Sequence, residues 1–209
     1  MKFLYFLALT LLLATPLRAA DTYDLIFRLG TLDDLPPQTV LTYDRQVNIP
    51  ANPDYAARNT GAVTLTLGDT AALDFRQGDH HRALGQFPTD VGNPVIMYFV
   101  ETVLRDVAQE TGGSPFYIRN RIKESLLTTV PVKEVALPFD GAEVATRQIT
   151  LRPFADDPNR DRLGIYADLA LRFTLSDDAP GWYLSLVAEA PGADGQSGYH
   201  SSLTLQGAG

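Results

Sequence analysis

The chain reads as an α+β fold: a mostly antiparallel β-sheet, curved or half-barrel-like, with a central two-helix insertion packed on one face. Three observations predict it. Apolar and polar residues alternate in short runs toward both ends of the chain, the period of a half-buried strand. In the middle the spacing changes to three and four, the period of an amphipathic helix. The order strands, helical pair, strands then sets helices on a sheet built from both ends, without interleaved βαβ units.

The first segment is set apart from the fold. Met1-Lys2 carries a positive charge, residues 3–14 are almost wholly apolar, Thr15-Pro16 breaks the run, and Leu17-Arg18-Ala19-Ala20 precedes a polar stretch. Charge, apolar run and small residues in that order predict a cleavable secretory signal over residues 1–20, cut after Ala19 or Ala20. An apolar run of about 12 residues falls short of the about 20 that span a bilayer. No cysteine follows to take a lipid. Residues 21–209 are therefore expected to be one soluble β-rich domain with no membrane span after processing.

Residues 22–29 begin the domain, where Tyr23, Leu25, Phe27 and Leu29 alternate with Thr22, Asp24 and Arg28, which predicts a strand. Gly30 ends it and Asp33-Asp34-Leu35-Pro36-Pro37 turns the chain. A second strand is expected over 39–47, and an irregular loop over 48–59, where prolines and asparagines cluster. Residues 62–67 and 71–76 flank Gly68-Asp69 as a tight hairpin. Asn93-Pro94 is a cap-then-proline start for a helix near 94–111. Along it Ile96, Phe99, Val100, Val103, Leu104 and Val107 form an apolar stripe, and Gly112-Gly113 stops it. Ser114-Pro115 repeats the signal for a helix near 115–127 with Ile118, Ile122 and Leu126 inward. Strands follow at 144–154, 165–175, 182–190 and 199–205, linked as antiparallel hairpins.

Composition narrows the function classes. With 45% apolar residues the chain can bury a core, and with no cysteine that core must hold without disulfides, thiolate metal sites or cysteine nucleophiles. The net charge is −8, and losing Lys2 and Arg18, with no acidic residue in 1–20, leaves −10. Nucleic acid and anionic membrane surfaces demand clustered cations, so neither is an expected partner. Arginine outnumbers lysine 14 to 3, which reads as the codon bias of a GC-rich bacterial genome and makes the periplasm the expected destination.

The most motif-like segment is 157–168. Asp157, Asn159 and Asp161 have the one-three-five spacing of calcium ligands, with Asp168 at position twelve. Against calcium, Arg162 stands where the loop needs glycine, Arg160 and Arg162 repel a cation, and the flanks read as strands. The competing reading is a charged, solvated strand connection. Asp79-His80-His81 is the next cluster, but neighbouring histidines on extended backbone point to opposite sides, leaving only His200 as a third imidazole. No strained serine elbow exists: Ser114 reads as a helix cap and Ser197 sits at the wrong spacing. The pairs Asp33-Asp34, Asp156-Asp157 and Asp177-Asp178 sit in turns, where aspartate bonds the local backbone. Arg119, Arg121 and Lys123 concentrate cations on the second helix, either as snorkelling flanks of a buried face or as an anion or partner surface. Trp182-Tyr183 follows Pro180-Gly181 as either an aromatic ligand platform or the start of a core strand.

Strands covered by two apolar helices, without a catalytic grouping, predict a non-enzymatic periplasmic binding or carrier protein for an apolar ligand or partner. The expected layout resembles that of periplasmic lipoprotein carriers, in which a half-open sheet is covered by helices. That likeness is of layout and assigns no residue a role. The alternatives are an accessory protein of an envelope complex, docking through Arg119, Arg121 and Lys123, and a hydrolase pairing His80 or His81 with an aspartate.

Overall fold

The computed structural model describes residues 19–192 and 198–208, with side chains from Thr22 onward. The predicted signal residues 1–18 and Ser197 lie outside the described residues. Nine strands, β1 (Val40–Asn48), β2 (Gly61–Leu67), β3 (Ala71–Gln77), β4 (His80–Phe87), β5 (Val132–Phe139), β6 (Ala142–Leu151), β7 (Ala170–Leu175), β8 (Tyr183–Ala190) and β9 (Tyr199–Ala208), form one open sheet. Their order is β4-β3-β2-β1-β9-β8-β7-β6-β5, antiparallel throughout. Two meanders are thus joined along β1 and β9, and β4 and β5 are the edges. Bulges at Thr42/Tyr43, Leu73/Asp74 and Thr174/Leu175 bend the sheet.

Register sorts the two faces. Gly61, Arg45, Leu203, Leu186, Phe173, Ile149 and Val132 lie side by side across seven strands. One residue along, Asp44, Thr204, Ser185, Thr174, Gln148 and Lys133 form the row on the opposite face. The first row is apolar except for Arg45 and turns toward the helices; the second is polar. A one-residue slip in any strand would exchange the two sets, so burial of the inner row fixes the register.

Four helices, α1 (Ala19–Ile26), α2 (Pro53–Asn59), α3 (Val95–Thr111) and α4 (Pro115–Leu126), accompany the sheet. α3 lies on the inner face, where the Phe99 ring meets Phe173 edge-on at 6.3 Å and Val95, Val103 and Val107 are fully buried. Its start is tied at three points. The Asn93 side chain accepts from Val95 N (3.1 Å) and donates to the Tyr43 hydroxyl and the Gly181 carbonyl, both at 2.9 Å. Gly112, at φ 65, closes it in the left-handed conformation that glycine adopts without strain. α4 returns beside α3, and Arg119 of α4 reaches Glu101 of α3 at 3.3 Å. Ser114 holds the position before α4 but its hydroxyl makes no cap bond; Pro115 and the bond from Ile118 N to the Ser114 carbonyl set the turn.

The alternation at 22–29 does not make a strand. Residues 19–26 are helical, with Thr22 and Ile26 fully buried one turn apart and Leu25 packed on the core. Ile26 falls on the polar phase of the alternation, and burying it favours the helical period. The segment 48–59 is not wholly irregular either: Asn52-Pro53 starts α2, with Asn52 Oδ1 accepting from Tyr55 N. The strand expected from 165 begins only at Ala170, after 3₁₀ turns at Arg160–Arg162 and Gly164–Asp168.

Candidate functional site

Trp182 and Tyr183 belong to the core. Trp182 is 3% exposed, and its indole N–H donates to the Leu25 carbonyl at 2.9 Å. The Tyr183 hydroxyl donates to the Ile26 carbonyl at 2.7 Å. The last carbonyls of a helix lack intrahelical partners, and these two side chains satisfy them at the end of α1. Arg28 and Arg147 lie over the Trp182 ring at 4.4 and 5.0 Å, and both pair with Asp177. Trp182 and Tyr183, read from sequence as either an aromatic platform or the start of a core strand, therefore fasten α1 to the sheet.

The cations of α4 also have internal partners. Arg119 pairs with Glu101, and Arg121 pairs with Glu124 at 2.6 Å and lies 2.8 Å from Asp157 through Nε. That second contact lacks hydrogen-bond alignment and acts through charge. Lys123, in the last turn of α4, has no ion pair among the described residues.

Asp157 is buried and fully engaged. It accepts from the Tyr117 hydroxyl at 2.6 Å and from Asn159 N at 2.7 Å, with Arg121 alongside. Asn159 turns its amide to the Tyr117 oxygen at 2.9 Å. Burial alone would raise the Asp157 pKa; Tyr117, the Asn159 amide and Arg121 together outweigh it and hold the carboxyl below its ordinary range. Asp168 pairs instead with Arg160 at 2.6 Å, and Asp161 stays exposed. Asp157 and Asn159 thus face α4 while Asp168 faces Arg160, and among the described residues no three His, Asp or Glu side chains gather as a metal cluster.

The histidines separate across the sheet. His80 and His81 open edge strand β4, and His200 lies on β9, four strand spacings away, about 19 Å across the strands at the usual interstrand distance.

Two features escaped sequence reading. The first is a polar cluster inside the core. Asp106 of α3 is 1% exposed and accepts from the Tyr55 and Tyr199 hydroxyls, each at 2.9 Å. Burial raises its pKa against these bonds and the nearby charges of Arg45 and Arg105. Burial and the Asp106 charge push Tyr55 up to about 12. Arg45 sits in the apolar inner row, its guanidinium 5.3 Å from the Tyr98 ring centre, and its Nε has no hydrogen-bond partner among the described residues. Asp106 and Arg45 carried no sequence signal, because Asp106 occupies a buried helix position and Arg45 an inward strand position only after folding.

The second feature is a groove of about 1170 Å3 between α1 and the β5–β6 end of the sheet. Leu25, Val135, Ala136 and Ala145 line its apolar part, and Asp24, Arg28, Glu134 and Arg147 are among its charged groups. Edge strand β5 was not legible from sequence, so the groove had no visible wall.

No helix among the described residues is long and apolar enough to cross a membrane. No family model matches the chain, and no curated protein matches it. Among solved structures, the chain is similar to the Mycobacterium tuberculosis lipoprotein LppX at a TM-score of 0.29 and 11% identity, over 89% of this chain and 93% of that one.

Proposed function

We propose that this chain is an exported, periplasmic binding or carrier protein, non-enzymatic, whose ligand is apolar over much of its length. The observation that carries the reading is the groove between α1 and the β5–β6 end of the sheet, about 1170 Å3 in volume. Small-molecule sites run to about 300–1,000 Å3, so the space is ample for an acyl chain. Methyl and methylene groups of Leu25, Val135, Ala136 and Ala145 give the apolar contact, while Arg28 and Arg147 on the same lining are held by Asp177. A second support is the absence of any carboxylate from the lining of the cleft that holds His80 and His81, which favours binding over acid–base chemistry. Export rests on residues 1–20 and the periplasm on the arginine bias.

A fluorescent fatty acid titrated into protein lacking residues 1–20 tests this reading. Binding is expected, and Ala145→Trp, an exposed position on the groove wall, should weaken it about ten-fold or more while leaving the melting curve in place. No binding, or equal binding to both proteins, would refute a ligand in this groove.

A further inference from the structure

At the other end of the sheet from that groove, α2, α3, β3 and β4 enclose a cleft of about 480 Å3. Its lining brings together Arg58, Arg82 and Arg105 with His80 and His81, and includes no aspartate or glutamate. Such a gathering is unexpected on a chain of net charge −8.

The three arginines reach the cleft from three elements. Arg58 lies in the last turn of α2, Arg105 on the exposed side of α3, and Arg82 on edge strand β4. None forms an ion pair among the described residues, whereas Arg28, Arg119, Arg121, Arg147, Arg160 and Arg172 all do. Arg82 rests over the Phe75 ring at 5.3 Å, which orients its guanidinium without neutralising it. Arg105 uses Nε on the Glu101 carbonyl at 3.3 Å, and its two terminal nitrogens have no protein acceptor among the described residues. The charge of buried Arg45 acts on Tyr55 of the lining; Arg45 has no ion pair among the described residues, donates to the Ser201 hydroxyl at 3.5 Å and leaves its Nε unpartnered. The nearest balancing charge is Asp106, whose two oxygens already accept from Tyr55 and Tyr199. Asp79, just before His80, lies in the β3–β4 turn and is absent from the lining.

Three guanidiniums without ion pairs among the described residues line one space, and their N–H forks match the oxygens of a phosphate group. We propose that this cleft is a binding site for a phosphate-bearing anion, held by Arg58, Arg82 and Arg105 with Tyr55, Asn59 and Gln77 as neutral polar neighbours. The site stands independently of the apolar groove. Its phosphate comes either from a free anion or from the head group of a phospholipid, and the two sources share this chemistry.

Calorimetric titration of the protein lacking residues 1–20, with inorganic phosphate and separately with monomeric dihexanoyl phosphatidic acid, tests the site. Binding of at least one probe is expected, weakening as salt is raised. Arg82→Gln and Arg105→Gln should each reduce affinity about ten-fold; both positions are exposed, so the fold should persist. Equal affinity for the two probes assigns the site to a free anion, and tighter binding of the phosphatidic acid assigns it to a lipid head group. Failure of both probes to bind, or binding that neither substitution weakens, overturns the proposal. The Ala145→Trp variant should bind inorganic phosphate as the parent does, and the phosphatidic acid is titrated into that variant so that uptake of its acyl chains by the groove does not enter the result.

Discussion

At the residue scale, buried charges are tolerated where every oxygen has a donor, and Asp157 is the clearest case. Tyr117, the Asn159 amide and Arg121 hold a carboxylate that burial alone would neutralise. Its folded pKa is depressed, so the stability it contributes is present above the unfolded value of about 4 and is lost as pH falls through the folded value. Asp157→Asn should therefore cost about 1.5–3 kcal/mol at neutral pH, as expected for hydrogen bonds to a charged group. The difference in melting temperature from the parent should shrink as the pH is taken below about 4. A gap that stays constant between neutral and acid pH would mean that the carboxylate charge has no part in it. The same residues account for what sequence could and could not say of the 157–168 segment. Its oxygens were visible at calcium spacing, but Tyr117 and Arg121 approach from 36 or more positions away, and only the fold brings them in.

At the scale of elements, the start of α3 is pinned by Asn93, two residues before the helix. Asn93 caps Val95 N and also binds Tyr43 and Gly181, so one amide couples a helix start to strand β1 and to the turn before β8. Asn93→Ala removes the cap and leaves the buried Tyr43 hydroxyl without this partner. The expected loss is about 2–3 kcal/mol, the sum of a cap and an unmade buried bond, read by urea denaturation. A loss below about 0.5 kcal/mol would contradict the coupling. The cap itself was legible, since Asn93-Pro94 is a local signal; its two distant partners were not. The same contrast separates the strands that could be read from those that could not. β2, β3, β7, β8 and β9 alternate apolar and polar residues in sequence, and β3 keeps that alternation in its burial. β4 and β5 are the two edges, where half or more of the residues are exposed, and their His80, His81, Arg82, Lys133, Glu134 and Pro138 suit an unpaired edge while erasing the apolar period. Both candidate sites have an edge strand as a wall, so neither could be assembled from the sequence. α1 failed in the opposite sense: its alternation was real, and the burial of Ile26 with Trp182 and Tyr183 on its last carbonyls selects the helix.

At the scale of the whole molecule, both proposed sites lie along the open sheet. The two spaces lie at opposite ends of the sheet, one against β5–β6 and the other against β3–β4. One end offers the larger groove, with apolar and charged side chains on its walls, the other a smaller basic cleft. Arg45 and Asp106 are charged groups buried within a mostly apolar interior. In this account the fold is a scaffold that holds two spaces apart, and the larger one receives an apolar chain. Native mass spectrometry of the full chain expressed with export and purified from the periplasm tests that claim most directly. The account predicts a processed protein with residues 1–20 removed, carrying an excess mass that matches a lipid and is shed on solvent extraction. A bare processed mass, joined by failure of the extracted protein to take up a fluorescent fatty acid, would contradict it.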